Sequence, residues 1–249
     1  MNERSEAVAG PDWLSGLLAP SACPRCKGKA RGGWMCERCA AEAERAAANA
    51  ARREDHADRL AAYTTSVPKL YHPWACAPEK LAETLVVTAP QIQARDREAV
   101  LRVPHDVPML VLSGHAGAGK TTLAVARGRA LVDSGKRVLF VAALDLGGAV
   151  RDTRLGQACE LLGRAKRAPV LIVDDLGKEL RLGPLAAAAL VDVISARHAH
   201  MRPTVVTTGL RSAEIKSGYE DDGMVRRLME KGRATVLRLG PQAGERSDT

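Results

Sequence analysis

The stretch SGHAGAGKTTLA, residues 113–124, decides the fold. Gly114, Gly119, Lys120 and Thr121 fall in it at the spacing G-x-x-x-x-G-K-[ST], with Gly117 between. The apolar run MLVLS (109–113) precedes it, and KTTLAVARGRALVDSG (120–135) follows without a break. A strand, a glycine loop and a helix in that order make a phosphate cradle. Bare backbone N–H groups wrap the oxygens, and the helix N-terminus adds a favourable dipole. Lys120 is placed to reach β- and γ-phosphates, the Thr121 hydroxyl to ligate Mg²⁺, and Thr122 to stand beside them at the start of the helix.

Hydrolysis at such a loop needs carboxylates on a neighbouring strand, and VLIVDDLGKE (170–179) supplies them. Four apolar residues carry Asp174 and Asp175 to the carboxyl end of a strand, where ligands sit in open α/β sheets. Asp174 is expected to hold Mg²⁺ and Asp175 to orient the attacking water. PTVVTTGL (203–210) is another strand ending in hydroxyls, so Thr207 or Thr208 is a candidate contact to the γ-phosphate or the water. Plain β-propensity explains those threonines equally well. Arg226 and Arg227 precede the last strand on a helix. Either is placed to act as a trans-acting arginine, or both simply decorate a basic helix end.

Outward from the loop, five short apolar runs read as strands: 108–112, 137–142, 169–173, 204–207 and 235–239. Helical segments separate them, which is the pattern of a parallel sheet covered on both faces. The fold class is therefore α/β, a three-layer P-loop domain. With 249 residues, there is room for this domain and something small.

The small element is marked by Cys23, Cys26, Cys36 and Cys39, at the spacing C-x2-C-x9-C-x2-C. Two tight Cys-x-x-Cys turns supply the four soft ligands that tetrahedral Zn²⁺ prefers. Cys76 and Cys159 stand alone and read as ordinary thiols. Residues 1–22 read as flexible. Residues 37–63 are Ala-rich, free of Gly and Pro, and thin on apolar residues, which predicts one solvated or partner-binding helix. Pro68, Pro73 and Pro78 then predict an extended linker. The expected organisation is a zinc-binding and helical docking module (1–62), a lead-in segment (63–80) and an ATPase domain with a flexible tail (81–249).

The net charge is +8, yet residues 1–62 carry ten basic and nine acidic side chains, so most of the excess lies downstream. Arg151, Arg154, Arg164, Lys166 and Arg167 cluster between the second and third strands. They suit weak, sequence-tolerant binding to single-stranded DNA, or serve solubility alone. Neither a secretory leader nor an apolar run longer than 185–191 is evident, so the expected location is cytoplasmic.

Taken together, these residues resemble the DnaC-like replicative helicase loaders and their relatives, the IstB-type transposition helpers, within the AAA+ class. DDLGKE looks like that group's Walker B signature. SVPKLYHPW (66–74), TTGLRSAEI (207–215) and MVRRLMEKGRATVLRL (224–239) resemble its other conserved-pattern segments, across roughly residues 63–240. The resemblance implies a sheet order of 5-1-4-3-2 and ATP-dependent self-association into a ring or spiral. It also implies single-stranded DNA as ligand and a hexameric replicative helicase as partner. Arg227, directly before Leu228, best matches the family's trans-acting arginine. The family usually has Asn at its sensor position, where this chain has Gly209, so sensing would pass to Thr208.

The expected function is thus an ATPase, using ATP, Mg²⁺ and Zn²⁺, that loads a helicase. The alternative is a helper of DNA transposition, which differs in partner and not in ATP chemistry. A small-molecule kinase is disfavoured by the doubled aspartate and the lack of an acceptor lid. A zinc adaptor with a degenerate ATPase is disfavoured by the intact Lys120, Thr121, Asp174 and Asp175.

Overall fold

A computed structural model describes residues 20–31, 34–75, 89, 92–151 and 157–240. The chain divides into two compact units, Met1–Asp55 and His56–Thr249.

In the first unit a two-stranded antiparallel hairpin pairs β1 (Pro20–Ala22) with β2 (Lys29–Arg31). Residues 20–22 are thus ordered into a strand rather than irregular; residues 1–19 lie outside the described residues. The hairpin turn carries Cys23 and Cys26, and Cys23 N donates to Gly28 O at 2.7 Å. Helix α1 (Glu37–Ser66) begins directly after Cys36 and carries Cys39 in its first turn.

α1 is longer than the sequence predicts and runs to Ser66. Its exposed residues justify the solvated reading for most of its length. Its last turns do not fit that reading, because Tyr63 is fully buried in the second unit's core. The following segment is not the extended linker that its prolines predict. It forms a 3-10 turn (Lys69–Tyr71) and a short helix α2 (His72–Ala75). Pro73 falls in the first turn of α2, where its missing N–H leaves no hydrogen bond unmade. Pro78 and Cys76 lie outside the described residues.

The second unit continues with α3 (Ala94–Arg102), β3 (Met109–Gly114), α4 (Lys120–Asp133) and β4 (Val138–Ala142). Then come α5 (Ala143–Arg151), α6 (Gln157–Arg167), β5 (Val170–Leu176) and a 3-10 turn (Lys178–Leu182). The chain closes with α7 (Pro184–Ala199), β6 (Thr204–Thr208), α8 (Ser212–Tyr219), α9 (Asp222–Met229) and β7 (Ala234–Leu239).

The five long strands form one parallel sheet in the order β4-β5-β6-β3-β7. Counted within this sheet and read from β7, that is the expected 5-1-4-3-2. Successive side chains on a strand face opposite layers. Leu110, Leu112, Val170 and Ile172 accordingly enter one core with α4, Tyr63 and Val100. Met109, Val111, Leu171 and Val173 enter the other core, with α7, Met224 and Leu228. This alternation explains why the strands read as unbroken apolar runs.

A fully buried cation ties the second layer to the sheet. Arg197 on α7 donates to the carbonyls of Ala165 and Ala168 at 2.8 and 2.7 Å, and to Thr204 Oγ1 at 2.9 Å. Burial lowers its pKa to about 10, and the carbonyls take the place of a counter-ion at the end of α6. Among the described residues no helix is long and apolar enough to cross a membrane.

Candidate nucleotide-binding site

β3 delivers the chain to the loop 114–119, and α4 begins at Lys120. Gly119 caps α4 at φ +80°, and a Cβ there would stand 2.6 Å from Ile92 Cδ1. The left-handed backbone restricts this position to glycine, and any Cβ would also displace the end of the Ile92 side chain. The Lys120 ammonium donates to Gly114 O and His115 O at 3.0 and 2.9 Å. Burial lowers its pKa, while Asp175 and Asp174 oppose that shift.

The carboxylates owe their positions to a bulge. Val173 pairs with Val206, but Leu176 pairs with Thr208, so β5 spends three steps where β6 spends two. The extra residue breaks the regular pairing in the segment that carries both aspartates. Asp174 is buried and accepts from Thr121 Oγ1 at 2.9 Å and from Thr207 Oγ1 at 2.6 Å. Burial raises its pKa against the pull of those two hydroxyls. Asp175, at φ +56°, lies in the left-handed region that Asp tolerates better than most residues. Its N–H donates to Thr207 Oγ1 at 2.8 Å, and its carboxylate meets the Lys178 ammonium at 2.5 Å.

These elements border a cavity of about 620 Å³, within the size range of small-molecule sites. Gly117, Gly119, Lys120, Thr121, Thr122, Asp175 and Gly209 line it. Gly114 contributes its carbonyl to Lys120, and Asp174 stands behind Thr121. Of the two candidate threonines, Thr207 reaches the Asp174 carboxylate and the Asp175 N–H. Thr208 is fully buried and donates to Leu176 O at 2.9 Å.

Tyr71, Lys178, Arg181 and Leu210 also line the cavity and have no role in the sequence reading. Lys178 lies inside the quoted DDLGKE, three residues beyond Asp175, so a signal for it was present. Tyr71 arrives from the segment read as a linker. Beneath Lys178, Glu179 is fully buried; it accepts from Tyr219 Oη and from Gly177 N at 2.8 Å, which fixes the turn after the bulge.

Neither Arg226 nor Arg227 lines this cavity. Arg226 is exposed, while Arg227 pairs with Asp221 at 3.2 Å at the start of α9. In the basic cluster, Arg164 and Arg167 are exposed and Lys166 is ion-paired with Asp192. Arg154 and the side chain of Arg151 lie outside the described residues.

In the other unit the sulfur atoms of Cys23, Cys26, Cys36 and Cys39 all lie within 4.8 Å of one another. Cys26 Sγ and Cys36 Sγ are 3.6 Å apart, near the roughly 3.8 Å edge of a tetrahedron built on 2.3 Å Zn–S bonds. Backbone N–H groups, that of Cys26 foremost, lower the pKa of Cys23 to about 6. Cys39 is pushed up to about 12, first by its contact with Cys26. One thiol favours the anion and another resists it, as four donors crowded within 4.8 Å of one another dictate. The donor set fits Zn²⁺.

No curated protein sequence matches the chain. Among solved structures, the "DnaC helicase loader" superposes with a TM-score of 0.50 at 21% identity, over 74% of this chain and 99% of that one. The "DnaI" structure gives 0.46 at 18%, over 74% and 91%. "Replication initiator DnaA bound to AMPPCP and single-stranded DNA" gives 0.47 at 18%, over 60% of this chain. The chain spans 46% of that DnaA structure. At these identities the DnaC likeness supports the fold, a P-loop AAA+ core. A family profile described as "IstB-like ATP binding protein" matches residues 92–233. That is more than half of the chain, and it covers the phosphate loop, both aspartates and α9, so the chain belongs to the IstB-like ATP-binding family.

Proposed function

We propose that this protein is a Mg²⁺-dependent ATPase that loads a hexameric replicative helicase onto single-stranded DNA, using ATP binding and hydrolysis as an assembly switch. The carrying observation is the convergence of Thr121, Asp174 and Thr207 beside a cavity that Asp175 and Lys120 line. Lys120 and the loop amides would bind the phosphates. Thr121 and Asp174 would hold Mg²⁺, which supplies charge neutralisation at the phosphates when bound. Asp175 faces the cavity and would orient the water, with Lys178 as its gate. Thr207 holds both aspartates in register. Arg227, outside its own cavity, would complete the neighbouring subunit's site.

The loader reading draws support from a compact unit apart from the ATPase unit, whose largely exposed helix α1 would offer a partner a docking surface outside the knuckle. The family description favours a second reading, a helper that carries a transposase to DNA. Affinity capture with the full-length, zinc-loaded protein separates them. Retention of a hexameric helicase with ATP, and its transfer to single-stranded DNA after hydrolysis, supports the loader. Retention of a transposase with no helicase binding overturns it.

A further inference from the structure

The first unit carries an unexplained residue. Trp34 is 74% exposed, two residues before Cys36, and it belongs to no buried cluster among the described residues. Met35 beside it is 42% exposed. Aromatic residues are scarce in this chain, only seven in all, so an indole left in solvent is a costly use of one.

Its electrostatic surroundings are one-sided. From residue 20 to residue 36 there is no carboxylate, while Arg25, Lys27, Lys29 and Arg31 all fall in that stretch. Lys27 and Lys29 are exposed and have no ion pair among the described residues. Lys27 sits at φ +60° in the turn after Cys26. Because Cys26 Sγ and Cys36 Sγ are 3.6 Å apart, chain length alone keeps Lys27 and Trp34 within about 20 Å of each other.

A protein partner would want more apolar surface. Specific protein interfaces are built on a buried cluster sealed by a rim. Trp34 and Met35 are the two large apolar side chains exposed in this unit among the described residues. One flat π-face and unpaired ammonium groups on the same small unit are instead what single strands require: the base stacks, and the phosphates meet the cations.

We propose that the four-cysteine knuckle is a binding site for single-stranded nucleic acid, with Trp34 as the stacking platform and Lys27 and Lys29 as phosphate contacts. The site is independent of the ATPase reading, since it uses no residue of the nucleotide cavity. Its ligand is an unpaired base with its flanking phosphates, a chemistry that DNA and RNA share.

The test uses the full-length, zinc-loaded protein with Lys120→Ala, without nucleotide, against labelled oligo(dT) and oligo(U). Trp34→Ala should weaken binding roughly tenfold or more, and Trp34→Phe should keep most of the affinity. Lys27→Gln with Lys29→Gln should flatten the log–log salt dependence by about 1.4, at roughly 0.7 per phosphate contact. Zinc content should be unchanged in all three. With Trp13 and Trp74 replaced by Phe, the fluorescence of Trp34 should be quenched as the oligonucleotide saturates. The tighter of the two oligomers identifies the natural strand. Undiminished binding by Trp34→Ala, or unquenched Trp34 at saturation, overturns the proposal. So does loss of a protein partner by Trp34→Ala with oligonucleotide affinity intact.

Discussion

Thr121 Oγ1 donates to Asp174 Oδ1 at 2.9 Å, joining the first turn of α4 to the bulge of β5 across 53 positions of sequence. Asp174→Asn keeps an acceptor for this hydroxyl and for Thr207 while removing the charge. Mg²⁺-dependent hydrolysis should be lost with the fold intact. Burial raises the folded-state pKa of Asp174, so its contribution favours the protonated form. It is most favourable below the unfolded carboxylate range and is lost as pH rises through the folded value. Asp174→Asn should therefore be at least as stable as wild type at pH 7, an advantage that shrinks toward pH 4. Thermal melts across that range measure it.

Tyr63 is the point where α1 enters the core, and its hydroxyl donates to Val125 O at 2.7 Å. Tyr63→Phe should cost about 1–2 kcal/mol in urea unfolding, the usual scale for one buried hydrogen bond. Gly128 faces the same ring, and a Cβ there would lie 2.2 Å from Tyr63 Oη. Gly128→Ala should cost about 1–3 kcal/mol by overpacking. Adding Tyr63→Phe should relieve part of that cost, because the pair shares one contact.

One Zn²⁺ per chain is expected at Cys23, Cys26, Cys36 and Cys39. The knuckle's own buried cluster is three residues, two of them ligands, so metal must supply most of its folding energy. Binding must release thiol protons, so affinity should fall with falling pH. Cys36→Ser should lose zinc and knuckle structure while nucleotide affinity stays within twofold. Protein purified without chelator that contains no zinc would contradict the assignment.

Arg227 should act in trans. Arg227→Ala should bind ATP normally and hydrolyse it about a thousandfold more slowly, at the low end for such arginines. Mixing it with Lys120→Ala, which keeps its arginine, should restore part of the activity. If the mixture stays inactive while both variants assemble, Arg227 only braces α9 through Asp221, and Arg226 becomes the candidate.

The phosphate loop was legible because its chemistry is contiguous: a strand, three glycines and a lysine within a dozen residues. The sheet order was legible only through family resemblance. The choice between Thr207 and Thr208 was not legible at all. It depends on how β6 pairs with β5 around a bulge, and a one-residue difference in register reverses which hydroxyl meets Asp174. The helical course of 66–75 was hidden for a different reason. Its prolines forbid helix interiors, but a 3-10 turn and a helix start accommodate them. Tyr71 reaches the cavity on that segment, and Lys178 reaches it through the left-handed turn at Asp175, neither of which spacing alone reveals.

The central claim is that Asp174 and Asp175 divide the work, one behind the metal and one toward the water. Turnover and nucleotide retention of Asp175→Asn with MgATP test it most directly. The account predicts ATP bound as tightly as by wild type, recovered unhydrolysed from the protein, with turnover reduced at least a hundredfold. Hydrolysis by Asp175→Asn at the wild-type rate would contradict it.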